Sequence, residues 1–463
     1  MRFIPFICVL CFTSLLKVSG QDRTKIDSIK YFDGLELAIN GKFHYEKKDM
    51  HFPQAISTLH KDIWNPGQNS SAKSISKSQD QKQKSHVQLI ADEIDFAAKQ
   101  YKLMRNLLVN IPCAFPKTTD KNGDLVTCDS SWWTTGFFPG SMCLLYGETH
   151  DNSIKIQAEE YLSELAKYQF ILDNHDIGWI INSSFGNWYR LTGNKQYGQI
   201  IVQTAKSLIT RFNPTVGCIR TWDKSELRKG SDFLVNVDNM LNLELLIDAF
   251  KISRDSLFLK IAIQHADKTL KNQFRSDNSS FHVVDYNSST GEVRSKKTGQ
   301  GYSDNSSWAR GQAWGLYGFT MIYRETRNLR YLKQAENIAE FIINHPRLPA
   351  DKIPYWDFDS PDIPNTYKDA SAGAIICSAL IELSQFVKKK QSKRYLSIAK
   401  QQLMSLSSSY YHAELGKNSC FILKHCVGAL PGNLEVDVPL IYADYYYLEA
   451  LTRYKKLVMS IGK

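Results

Sequence analysis

Acids, histidines and tryptophans of this chain gather in six short stretches, each just before or at the start of an apolar run. They are 131–138 (Ser-Trp-Trp-Thr-Thr-Gly-Phe-Phe), 174–179 (Asn-His-Asp-Ile-Gly-Trp) and 236–242 (Asn-Val-Asp-Asn-Met-Leu-Asn). Then come 301–304 with 307–314 (Gly-Tyr-Ser-Asp; Ser-Trp-Ala-Arg-Gly-Gln-Ala-Trp), 354–359 (Pro-Tyr-Trp-Asp-Phe-Asp) and 435–440 (Glu-Val-Asp-Val-Pro-Leu). A carboxyl in such a place has two uses. Asp176 and Asp238 can cap the free N–H groups of the helices they precede, or, held partly protonated, they can move a proton. Trp133, Trp222 and Trp314 can stack on sugar rings or pack a core. Arg310 offers a planar cation to an anionic or polar group, or pairs with a nearby acid. His282 sits beside a β-like run, where a structural role is equally open. Thr298 and Gln300 flank glycines that let backbone approach a ligand closely.

The elements that must position these residues are helical. About twelve segments show 3.6-residue periodicity: 86–109, 137–147, 153–172, 177–191, 195–211, 237–253, 255–274, 307–325, 330–345, 369–387, 392–409 and 437–456. They alternate in character. The stretch 331–339 is amphipathic and Lys/Glu/Gln-rich, whereas 370–380 is apolar on nearly every side. A helix apolar all round belongs inside, and an amphipathic one can coat it. The expectation is an all-α protein, an (α/α)6 barrel of about six inner and six outer helices. Inner helices that start at one face would bring the six stretches around one pocket. Strand signals are few, and 281–286 is the best.

Composition sets the outer bounds. With 463 residues, 43% hydrophobic and 22% charged, the chain can bury a large core. Its formal charge of +10 comes without a basic stripe or nucleic-acid module, so no nucleic-acid partner is expected. Residues 1–20 read as a signal peptide: Arg2, an apolar run from Phe3 to Leu16, then Val18-Ser19-Gly20. No segment is long and charge-free enough for a membrane span. The expectation is an exported protein, periplasmic or secreted, from a bacterium. Residues 21–84 form an N-terminal arm whose second half is a polar Ser/Lys/Gln tract, read as a partly flexible linker, and 85–463 form the catalytic domain. The cysteines show no zinc-ligand rhythm and no His/acid metal motif appears, so neither metal nor cofactor is expected. Cys113 and Cys128 are open to a bridge or to remaining free thiols.

Taken in order and at their spacing, the six stretches resemble the unsaturated glucuronyl hydrolases of glycoside hydrolase family 88, over nearly everything from about residue 86 onward. The resemblance implies an enzyme acting on the 4,5-unsaturated uronates that polysaccharide lyases leave at a non-reducing end. It implies hydration of the C4=C5 vinyl-ether bond, giving a hemiketal that rearranges and expels the remaining sugar, so carboxylate separation carries no retaining-or-inverting message. Asp238 would be the general acid/base and Asp176 the second essential carboxylate. Trp133, Trp222, His282, Thr298, Gln300, Arg310 and Trp314 would bind substrate. A free Asp titrates at roughly 3.9, so burial or a second carboxylate must raise the working carboxyl. The 428–433 stretch (Gly-Ala-Leu-Pro-Gly-Asn) lacks the Ser and Lys set with which some members receive a 6-sulfate. Unsaturated rhamnogalacturonyl hydrolase is the neighbouring alternative, and a sugar-epimerase-like barrel protein the more distant one. Oligomeric state stays open.

Overall fold

Twelve helices among the described residues follow the expected alternation. The computed structural model describes residues 72–111, 114–223 and 230–461. The outer helices are α1 (Ala72–Leu108), α3 (Asn152–Leu165), α5 (Lys195–Ile209), α7 (Ser256–Asn272), α9 (Leu329–Asn344) and α11 (Lys389–Leu406). The inner ones are α2 (Phe137–Thr149), α4, α6 (Leu243–Ser253), α8 (Ala309–Thr326), α10 (Ala370–Leu383) and α12 (Ile441–Ile461). Helix α4 is built in three pieces, Ile177–Ile181, a π-helical turn Asn182–Gly186, and Asn187–Thr192. The inner helices touch in sequence and α12 closes back onto α2, which makes the (α/α)6 barrel.

Burial follows the patterning. Every residue of α10 is buried, whereas α9 buries only Tyr331, Gln334, Ala335, Ile338, Ala339 and Ile342, the one-face spacing of a coating helix. Four of the outer helices start with side-chain caps: Asp151, Asn194, Asp255 and Asn328 each accept a bond from a first-turn N–H. Inner helices approach very closely. A Cβ on Gly140 of α2 would lie 2.3 Å from the Ser183 carbonyl oxygen in α4, so only glycine permits that crossing.

Away from the site an ionic lattice ties the inner helices together. Arg324 of α8 reaches Glu244 of α6 (2.5 Å) and Glu382 of α10 (2.6 Å). Arg453 of α12 reaches Glu382 (2.9 Å) and Glu449 (3.4 Å). Although burial pushes the other way, these guanidinium groups hold the carboxyls of Glu244 and Glu382 below the usual range.

Three expectations need correction. Helix α1 begins at Ala72, inside the stretch read as linker to residue 84; its Lys and Gln residues are good helix formers. The last helix starts at Ile441 rather than 437, since Pro439 biases the residue before it toward extended backbone and Leu434–Val438 forms a strand. Small antiparallel hairpins also occupy the loops at the helix starts, most of them missed in the sequence because their strands are only two to five residues long. The pairs are β1 (Phe115–Thr119) with β2 (Leu125–Cys128), β3 (Phe212–Asn213) with β4 (Cys218–Ile219), and β8 (Cys426–Ala429) with β9 (Leu434–Val438). A three-stranded sheet joins β5 (Phe233–Asn236), β6 (Val283–Tyr286) and β7 (Val293–Lys297); it contains most of the stretch read as a strand. The signal peptide, most of the 21–84 arm and Cys113 lie outside the described residues.

Candidate active site

The three-stranded sheet delivers the first group of residues. Asn236 opposes Val283, and Val283 opposes Lys297, so Asp238, His282 and Thr298 emerge at the same end. Beyond β5 the chain makes a 3-10 turn, Val237–Asn242, before α6. The cap of that turn is Asn236, whose Oδ1 accepts from the Asn239 N–H at 3.2 Å. Asp238 is thereby released from capping. It is buried, its Oδ2 accepts from Asn236 Nδ2 at 3.1 Å, and its Oδ1 has no hydrogen-bond partner among the described residues.

Asp176 escapes capping as well. It stands at the start of α4 but makes no cap bond; Asn174 Oδ1 instead accepts the Asp176 N–H at 2.8 Å. His175, almost fully buried, places Nε2 3.2 Å from Asp176 Oδ1. The two acid-bearing turns are pressed together at Gly178, where a Cβ would meet Asn242 Oδ1 at 2.4 Å and Asn242 Cβ at 2.9 Å. Burial first, then the nearby charge of Asp238, pushes the Asp176 carboxyl up to about 7, with Arg211 pulling the other way. A carboxyl raised this far holds a proton near neutral pH.

His282 is oriented by the loop after β7. Its Nδ1 accepts the N–H of Gly299 (3.0 Å) and of Gln300 (3.2 Å), so in the neutral ring the proton sits on Nε2. That Nε2 lies 3.7 Å from Asp238 Oδ2, too far for a bond, and has no hydrogen-bond partner among the described residues. Thr298 Oγ1 accepts the Gly301 N–H at 2.8 Å and shapes the same loop. Buried polar atoms left unpaired are costly; Asp238 Oδ1 and His282 Nε2 thus keep capacity for a substrate atom or a water.

Aromatic rings surround the acids. Trp222 meets His175 and His282 edge-on, with ring centroids at 6.3 and 6.4 Å, and so spans the two histidine–aspartate pairs. Its neighbours hold it: the Thr221 carbonyl and the Asp223 carboxylate both accept from Arg211, at 3.0 and 2.6 Å. Trp133 is half-buried and packs on Trp179 (5.3 Å) and Tyr442 (5.0 Å).

Two of the named residues are placed differently. Trp314 is 1% exposed and lies edge-on to Trp179 at 4.8 Å; with no surface to offer, it is core packing that backs the wall. Arg310 pairs with Asp369 at 3.1 Å and donates to the carbonyls of Val427 and Gly428. Both of its terminal nitrogens are committed, so it anchors the β8–β9 hairpin rather than offering a free fork. The sequence reading missed Trp308, which stacks between His282 (4.5 Å) and the Arg310 guanidinium (4.5 Å). It also missed Arg211, whose part depends on the way the loop after α5 folds back over it. Asp357 and Asp359 hold the 301–307 loop through Tyr302 N, Ser306 Oγ and Ser307 N.

A twelve-helix barrel with two uncapped carboxylates, Asp238 buried and Asp176 half-buried, among tryptophans and histidines at the inner-helix starts defines an (α/α)6 carbohydrate-active hydrolase. No family model matches the chain. It is 44% identical over 370 residues to an unsaturated glucuronyl hydrolase of Formosa agariphila, covering 78% of this chain and 91% of the relative. It is 31% identical over 363 residues to an unsaturated chondroitin disaccharide hydrolase of Streptococcus agalactiae, covering 77% and 90%. Among solved structures, an unsaturated glucuronyl hydrolase specific for heparin superposes with a TM-score of 0.76 at 43% identity, covering 80% of this chain and 97% of that one. The unsaturated glucuronyl hydrolase of Bacillus sp. GL1 gives 0.73 at 28% identity, covering 79% and 97%. The chain belongs to the unsaturated glucuronyl hydrolase family, glycoside hydrolase family 88, and is a glycoside hydrolase of that type.

Proposed function

We propose that this enzyme releases a 4,5-unsaturated uronic acid from the non-reducing end of lyase-generated, glycosaminoglycan-type oligosaccharides, with Asp238 and Asp176 as the working carboxyls. The observation that carries the reading is the freedom of both acids from capping, together with the lift of Asp176 to about 7. A proton held by the pair passes through Asp238 to C4, and a water adds its hydroxyl at C5 while its proton returns to the carboxylate. The hemiketal so formed opens and expels the remaining sugar. Asp176 keeps the proton available, His282 directs its Nε2–H toward Asp238, and Trp133 and Trp222 wall the sugar ring. Thr298 and Gln300 shape the loop that fixes His282.

Relatives named for heparin and for chondroitin support a glycosaminoglycan source. The 428–433 stretch argues against tight 6-sulfate recognition through a Ser and Lys set at that loop. Export, to the periplasm or beyond, follows from the signal-like residues 1–20 and is checked by the N-terminal mass of protein recovered outside the cytoplasm.

The test is ultraviolet absorbance of the conjugated uronate with disaccharides from heparin, chondroitin, hyaluronan and pectin. Absorbance should fall with glucuronyl substrates and persist with Asp238→Asn. Turnover of the pectin product alone would move the assignment to a rhamnogalacturonyl hydrolase.

A further inference from the structure

Trp132 is 40% exposed, while its neighbour Trp133 turns into the aromatic wall. A large ring left at the surface calls for a reason, since Trp is highly buried on average. Its surroundings are built. The ammonium of Lys117, on β1, lies over the indole at 4.0 Å from the ring centre. Lys117 is in turn held by Glu435 of β9 at 3.0 Å.

Glu435 occupies a seat that the hairpin reserves for it. Its backbone is left-handed, with φ 54°, and two residues on Asp437 is left-handed as well, with φ 57°. Such strain in non-glycine residues persists only where the surroundings impose it, and it collects at ligand sites. Across the hairpin a Cβ on Gly428 would meet Glu435 Oε2 at 2.6 Å, so the facing position has to stay bare. The same hairpin takes the two Arg310 bonds at Val427 and Gly428. The Trp132 support is therefore continuous with the frame of the active site. The device recurs: Asp437 holds His425 at 2.7 Å, and His425 stacks under the exposed Tyr410 ring at 4.6 Å.

We propose that Trp132, supported by the Lys117–Glu435 pair, is a stacking platform for the sugar on the leaving side of the scissile bond. One indole face is covered by the ammonium; the other meets the C–H face of a pyranose, the contact aromatic rings make with carbohydrate. Lys117 is a positioning residue, fixing the ring by cation–π attraction. The proposal rests on the functional reading above and adds where the rest of the oligosaccharide lies.

The test compares two substrates, an unsaturated disaccharide and the methyl glycoside of the same unsaturated uronate, which has no leaving sugar to stack. Trp132→Ala should raise KM for the disaccharide roughly five- to tenfold while leaving the methyl glycoside rate as in wild type. Trp132→Phe should recover most of the loss, and Lys117→Met should show a smaller loss of the same selectivity. Equal losses on both substrates, or no loss on either, would overturn the proposal. If wild-type enzyme turns over neither substrate, the functional reading fails first and takes the platform with it.

Discussion

Between Asp176 and Asp238 the decisive quantity is the proton. Asp176 moves from the ordinary 3.8 to about 7 through burial and then the charge of Asp238. Below about pH 7 Asp176 retains a proton that can be passed on to C4; above it that proton is lost. We expect kcat/KM to fall as pH rises through about 7, read from a pH–rate profile on the unsaturated disaccharide. The same shift has a stability sign. The folded protein keeps a proton that the unfolded chain releases between about pH 4 and 7, so this contribution is present below that window and lost as pH rises through it. In Asp176→Asn the drop in melting temperature across the window should shrink; an unchanged drop would place the titration elsewhere.

Two turns held in register by Gly178 and Asn242 are what bring these carboxyls together. Gly178→Ala puts a methyl where Asn242 Oδ1 stands 2.4 Å away and Asn242 Cβ 2.9 Å away, so the turns must part. A displacement near an ångström at a reacting group costs on the order of a hundredfold. Gly178→Ala should therefore lower kcat by roughly 10- to 100-fold with an unchanged circular dichroism spectrum; full activity would show that the turns tolerate separation. At this scale the sequence was partly legible. Periodicity located all the barrel helices, because inner and outer faces differ in apolar spacing. It could not say that Asn236 rather than Asp238 caps the 3-10 turn, since Asn and Asp cap about equally well. Nor could it show the π-helical turn in α4 or the strained β9, which arise from packing between distant segments. Arg310 was read as a partner for a sugar group or for a nearby acid; the acid is Asp369, 59 residues away, and only the fold reveals that its terminal nitrogens are already committed.

Over the whole molecule, the ionic lattice around Arg324 joins α6, α8 and α10, and Arg453 extends it to α12. Removing one partner of this half-buried set leaves uncompensated carboxylates, at a cost below but approaching the roughly 3–5 kcal/mol of a fully buried pair. Arg324→Ala should lose about that much stability in denaturant unfolding while keeping wild-type kcat at temperatures where it stays folded; a drop in kcat without a loss of stability would place the lattice in the catalytic machinery. The barrel is thus fastened by charge in its interior and does its chemistry at the helix starts. The central claim is that the enzyme adds water across C4=C5 with a proton delivered through Asp238, and proton NMR of turnover in heavy water tests it most directly. In early product the vinyl signal at C4 should vanish, with one deuterium on one face of C4, and Asp238→Asn should leave it intact. A released uronate that still carries its vinyl proton would mean attack at the glycosidic carbon, and would contradict the account.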